Sequence, residues 1–304
     1  MSTESASPGR RVARRSRRRP TRRQLRRRTL AREVCFYLAV IVVVLFALFP
    51  FYWILRTSLL SDSAVGQGVG GANGLFPAHL TGSAYSEDFT QQGFLTPLIN
   101  SAIVAFATTV ITIFVAALAG YALARLPIRG AGAILAFILV AGFFPVLAIV
   151  GPLFLVLRDL GLLDSIYPLI IVYLIYTLPI ATYLLRNFFM QIPKDLEEAA
   201  LVDGATRLVA LRRVLIPVAV PGMFTAGILA FILAWNDFAF AVSFLETPGH
   251  FTAPLSIVNL GQSQFQVFYN RIDAAVVIIT IPVALLVLFA QRRIVAGLTA
   301  GSFR

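Results

Sequence analysis

Six long apolar stretches, at about residues 34–55, 103–124, 134–156, 166–185, 220–245 and 274–290, constrain what this chain can fold into. A helix crosses a hydrocarbon core roughly 30 Å thick with about 20 apolar residues, and it must satisfy its own backbone because no water is present there. The stretches match that length, the last being the shortest. Composition agrees, since 58% of the 304 residues are hydrophobic and only 13% are charged, against about 25% charged in a soluble domain. The expected fold class is an all-α integral membrane protein with six transmembrane helices.

The formal net charge of +12 is concentrated rather than spread. Residues 1–33 carry 13 Arg against Glu4 and Glu33, and the remaining 13 basic and 12 acidic residues nearly cancel. That tail lacks apolar periodicity and is expected to be disordered. Near an anionic leaflet each of its Arg contributes about 1 kcal/mol, so it holds the N-terminus on the cytoplasmic side. It contains no aromatic residue on which a base could stack, so no nucleic-acid partner is expected. An export signal is also excluded, because the first apolar stretch has no small-residue cleavage site before it. Residues 34–304 form the transmembrane domain.

Basic residues between the spans set orientation. With the N-terminus inside, Arg125, Arg129, Arg186, Lys194, Arg207, Arg212, Arg213, Arg292, Arg293 and Arg304 join the tail on the cytoplasmic side. Only Arg56, Arg158 and Arg271 fall outside. Both termini are therefore expected in the cytoplasm.

Several activities lack their residues. Lys194 is the only lysine, so there is no G-x-x-x-x-G-K-[ST] phosphate loop. "GQGVGG" matches G-x-G-x-x-G at Gly66, Gly68 and Gly71, but no strand precedes it and no helix is expected after it. Cys35 is alone, and His79 and His250 lie in outer loops without paired ligands, so no metal site, cofactor or catalytic group is expected in the chain.

The polar stretch "EEAALVDGATRLVALRR", residues 197–213, reads as two short helices about a turn. Pro193 suits a helix start, and Leu196, Ala199 and Ala200 share a face. Asp203-Gly204 supplies a stop, Thr206 a cap, and Leu208, Leu211 and Leu215 an apolar stripe. Pro217 and Pro221 are expected to break the second helix. Small residues at the crest admit another backbone, and Glu198 offers a charge, which describes a docking knob. A hairpin lying on the membrane surface fits the same composition.

"EAALVDGATRLVALRRVLIP" resembles the EAA signature of importer-type ABC transporter permeases: Glu198, Ala199 and Ala200, then Gly204, then Val214-Leu215-Ile216-Pro217 in place of the usual I-x-L-P ending. "INSAIVAFATTVITIFVAALAGYALARL", "LPIATYLLRNFFMQIPKDLEEAA", "FILAWNDFAFAVSFL" and "QRRIVAGLTAG" are similar to the carbohydrate branch of that family, which includes the maltose-importer G subunit and trehalose-importer permeases. The Arg tail and the Gly-rich loop after the first span depart from the family.

The resemblance implies a division of labour. A second, non-identical permease subunit completes the pathway, an ABC ATPase dimer binds ATP and Mg beneath it, and an extracytoplasmic sugar-binding protein delivers substrate. The hairpin, within residues 186–219, would be the ATPase-coupling element, carried by Glu198, Ala199, Ala200, Asp203, Gly204 and Ala205. Leu298, Thr299, Ala300, Gly301 and Ser302 would form a secondary ATPase contact. Transport of a sugar, an α-linked disaccharide or oligosaccharide such as trehalose or maltose, would proceed by alternating access.

Trp235, Asn236 and Asp237 are candidates for the substrate pathway, because an ionisable residue in a span usually faces a bundle interior or cavity. Asp237 near a wet interface, or the pair joining subunits, is the competing assignment. Pro145, Pro168, Pro179 and Pro282 allow kinks but decide little. An ion-coupled secondary transporter would show more buried ionisable groups and an internal repeat. A permease for a polyol or glycerol phosphate derivative is a further alternative.

Overall fold

The computed structural model describes residues 22–66, 74–77, 79–90, 93–260 and 267–299, with side chains over 32–289. Among the described residues every run of regular structure is helical. In order these are α1 (Arg22–Ser58), α2 (Asp62–Gly66), α3 (Ser83–Thr90), α4 (Leu95–Arg125), α5 (Ala131–Gly142), α6 (Val146–Asp159), α7 (Tyr167–Val172) and α8 (Leu174–Gln191). There follow α9 (Lys194–Val202), α10 (Arg207–Ala210), a π turn (Leu211–Leu215), α11 (Ile216–Trp235), α12 (Ala239–Phe244), a 3-10 turn (Pro248–His250), α13 (Ala253–Asn259) and α14 (Tyr269–Thr299).

The chain divides into Met1–Trp53 and Ile54–Arg304. In the first unit α1 already begins at Arg22, so residues 22–33 are helical where a disordered tail was expected. Arg, Leu and Gln are strong helix formers, and lengthening an existing helix fixes only one residue per new hydrogen bond. The apolar part of α1 has no buried residue, and Phe46 is 82% exposed. Such a surface requires lipid or another chain against it.

In the second unit α4, α8 and α11 pack around close backbone contacts. A Cβ on Gly120 would meet Arg186 N at 2.9 Å, one on Gly222 would meet the Phe188 ring at 2.4 Å, and one on Gly227 would meet Ile113 at 2.6 Å. Small residues serve here because, inside lipid, van der Waals fit rather than water exclusion draws helices together. Hydroxyls add polar links: Thr112 and Thr177 share a 2.8 Å bond between α4 and α8, and Thr108 donates to Ile170 O at 3.3 Å. One buried cluster centres on Tyr173, Trp235, Phe240 and Phe244. A second, at the other end of α4, centres on Tyr121, Leu185, Phe189, Leu211 and Leu215.

Among the described residues five helices are long and apolar enough to cross a membrane, or six if α5 and α6 count as one crossing. The expected span 134–156 is not straight, because α5 and α6 meet at 83°. Pro145 has no N–H to continue the ladder, and Gly142 presses on Pro179 of α8, where a Cβ would stand 2.6 Å from the ring. The expected span 220–245 also ends early: α11 stops at Trp235 and α12 restarts at Ala239. Pro217 and Pro221 do not break the chain before it, since helix is continuous over Arg207–Trp235. The π turn explains this. Ile216 N reaches back to Leu211 O, a wider ring that lets Pro217 follow without the usual donor.

Candidate functional site

The hairpin is assembled by local rules. After Ile192 and Pro193 leave the helical region, Asp195 and Glu197 stand in the first turn of α9, where negative charge favours the helix dipole. Its last turn closes by Ala205 N to Ala200 O at 3.0 Å and Gly204 N to Leu201 O at 3.1 Å. That paired closure requires a left-handed residue, and Gly204 supplies it at φ +85°. Thr206 then caps α10, its Oγ1 accepting from Val209 N at 3.4 Å.

Leu211 and Leu215 of the expected stripe are fully buried, but Leu208 is 67% exposed. It lies in the first turn of α10, beyond the body on which the stripe could pack. Val202 is 87% exposed, and Glu198 and Ala199 also face outward. Ala200, Asp203, Gly204 and Ala205 border a shallow cavity of about 460 Å³ with Thr206 and Val209. Glu198, Ala199, Ala200, Asp203, Gly204 and Ala205 therefore share one small-residue crest, edged by unpartnered apolar side chains. Its chemistry is that of contact, with two exposed carboxylates, Glu198 and Asp203.

Glu197 behaves differently, and the sequence reasoning passed over it. It is buried, and its Oε1 accepts from the Tyr121 hydroxyl at 2.7 Å. Arg125 Nε lies 3.9 Å from its Oε2. The same guanidinium donates to Phe189 O at 2.7 Å and to Ile192 O, the carbonyls that α8 leaves open at its end. Tyr121 also packs edge-on against Phe189, ring centres 6.1 Å apart. A signal was present: Tyr121 and Arg125 are four residues apart, on one helical face.

The other candidates separate. Trp235 is 3% exposed, stacked on Phe231 at 5.5 Å, and donates from Nε1 to Ile279 O at 3.3 Å. Its ring is committed to the core and offers no face to a sugar here. Asn236 is exposed and donates back to Ile232 O at 2.8 Å. Asp237 Oδ2 accepts from Ala241 N at 3.3 Å, which starts α12. The three are not brought into one open site. Of the secondary contact, Leu298 and Thr299 lie in α14 without described side chains, and Ala300, Gly301 and Ser302 lie outside the described residues. Gly68 and Gly71 lie outside them too.

Away from the hairpin, two polar clamps hold loops together. Asp164 Oδ1 accepts from Glu246 N at 2.9 Å and Thr247 N at 2.8 Å, and Oδ2 accepts from the Thr247 hydroxyl at 2.5 Å. These bonds, the Thr247 hydroxyl first, hold its carboxyl below the usual carboxylate range. Arg271 joins Glu87 at 2.6 Å to Asp62 at 3.3 Å. Beside it Asp88 is fully buried with neither oxygen partnered among the described residues, and loss of hydration pushes its carboxyl up to about 7 despite Arg271.

Comparison with known proteins places this geometry. Residues 115–299 match the family described as the binding-protein-dependent transport system inner membrane component. The chain is 43% identical over 263 residues to the trehalose transport system permease protein SugB of Mycobacterium tuberculosis, covering 86% of this chain and 94% of that one. It is 40% identical over 268 residues to the sulfoquinovosyl glycerol transport system permease protein SmoH of Agrobacterium fabrum, covering 88% and 93%. A crystal structure of a bacterial ABC transporter involved in import of the acidic polysaccharide alginate superposes with a TM-score of 0.74 at 28% identity, covering 88% of this chain and 97% of that one. With residues 115–299 matched by that family and relatives at 40% identity or more covering most of the chain, the chain belongs to the binding-protein-dependent transport inner membrane component family, as a permease subunit.

Proposed function

We propose that this chain is one of two permease subunits in an ATP-driven sugar importer of the bacterial inner membrane, with both termini in the cytoplasm. Its substrate is an α-linked disaccharide or oligosaccharide of the trehalose or maltose kind. The observation that carries this is the hairpin crest: a backbone turn at Gly204, flanked by exposed Val202 and Leu208 and by the free Glu198. A surface so built suits a cleft on a separate ATPase, which binds ATP and Mg. An extracytoplasmic sugar-binding protein supplies the substrate, a reading supported by the family's description as binding-protein-dependent. ATP-driven closure of the ATPase pair moves the hairpins together and turns the pathway outward, and hydrolysis resets it. Partner energy shifts this equilibrium only through contacts that differ between the two states, and the crest is where they meet.

Mild-detergent purification from native membranes, with mass spectrometry of what accompanies the chain, tests the assembly. A second EAA-bearing permease together with a phosphate-loop ATPase is the expected result; the chain recovered alone and folded overturns it. Uptake of labelled trehalose, maltose and sulfoquinovosyl glycerol by cells with and without the gene then tests the substrate. The similarity to a sulfoquinovosyl glycerol permease makes that glycoside the second candidate.

A further inference from the structure

We infer that Tyr121, Arg125 and Glu197 form a positioning latch that fastens the hairpin to α4, making α4 a third carrier of hairpin movement beside the covalently joined α8 and α11. The inference rests on the permease role proposed above. It begins from an anomaly: Glu197 is buried in a hairpin whose other charged residues are exposed. A carboxylate withdrawn from water is destabilising unless it is bonded. Its hydrogen bond comes from α4, from the Tyr121 hydroxyl at 2.7 Å, and the Arg125 guanidinium of the same helix stands within ion-pair range at 3.9 Å.

Arg125 extends the tie. By donating to Phe189 O and Ile192 O it holds the corner where α8 gives way to α9, so one side chain joins the ends of three helices. Apart from these contacts with α4, α9 packs on α10 and the π turn, and it joins the body through extended backbone at Ile192 and Pro193 and through the turn at Gly204. Both are points where backbone torsion can absorb a displacement. With the bonds in place, a partner that moves α9 moves the end of α4 with it. α4 is 31 residues long and meets α8 and α11 at Gly120 and Gly227, so displacement at one end passes into the body.

The test uses the complex purified from native membranes, with Cys35→Ser removing the lone thiol. Nitroxides at Ile128→Cys and Asp195→Cys, both exposed, report the separation of the end of α4 from α9. A latched hairpin gives one narrow distance that is the same without nucleotide and after trapping with ATP and vanadate. Tyr121→Phe keeps the ring and removes the hydroxyl; Glu197→Ala removes the acceptor. Each is expected to broaden the distance distribution and to raise ATP hydrolysed per trehalose imported by about tenfold, a typical size for coupling between sites. The double variant should match Glu197→Ala, because the Tyr121 hydroxyl has already lost its acceptor there. Distributions as narrow as the parent's, or additive effects, overturn the latch. An accompanying ATPase is scored separately, so loss of the importer assignment and loss of the latch are distinguishable, and the distance measured in the chain alone still decides the latter.

Discussion

Glu197 and Glu198 show how much one residue of register decides. Neighbours on a helix point about 100° apart, so when α9 lies on the body one carboxylate is buried against Tyr121 and the other meets solvent. Glu198→Ala should leave folding and insertion intact yet abolish uptake: in the proposed docking its carboxylate pairs with a basic residue of the ATPase cleft, and losing one member of a desolvated charge pair costs about 2 to 5 kcal/mol. Gly204→Asp should act likewise by placing a charged side chain on the crest at φ +85°. Uptake assayed beside copurification checks both, and normal uptake in either removes that residue from coupling. Asp88 makes a different prediction. Its carboxyl holds its proton to about pH 7 when folded against 3.8 unfolded, so the folded state is favoured fully below 3.8 and loses that advantage as pH rises to about 7. Asp88→Asn should flatten the fall in thermal midpoint of the detergent-solubilised protein across that range.

At the scale of elements, the sequence placed helices well and their continuity poorly. Apolar length shows where a span lies, but breaks depend on what the backbone meets. Pro145 ends α5 because Gly142 is pinned against Pro179, whereas Pro217 is absorbed by the π turn before it. Identical chemistry therefore bends one helix and leaves another continuous. The hairpin was legible in more detail, since a left-handed Gly and a capping Thr act within a few residues. Close packing yields a further prediction. Gly222→Ala pushes a methyl into the Phe188 ring, 2.4 Å from its Cγ. Overpacking of this kind costs about 1 to 3 kcal/mol, which thermal unfolding in detergent should register as a lower midpoint with the hairpin sequence unaltered.

At the scale of the whole molecule, orientation is the quantity to measure. The distribution of basic residues places Lys194 inside and His79 outside. In a Cys35→Ser background, His79→Cys should react with an impermeant maleimide in intact cells and Lys194→Cys only after permeabilisation. The reverse pattern would invert the topology and place the hairpin beyond reach of a cytoplasmic ATPase. By itself the sequence determined the membrane environment, the approximate spans, the hairpin and the family, because each rests on composition or on residues close together along the chain. Tertiary structure alone decided that Glu197 rather than Glu198 is buried, that Trp235 is enclosed, and that Tyr121 and Arg125 face Glu197. Those outcomes depend on which helix faces meet across 76 residues of separation, and local pattern cannot supply that.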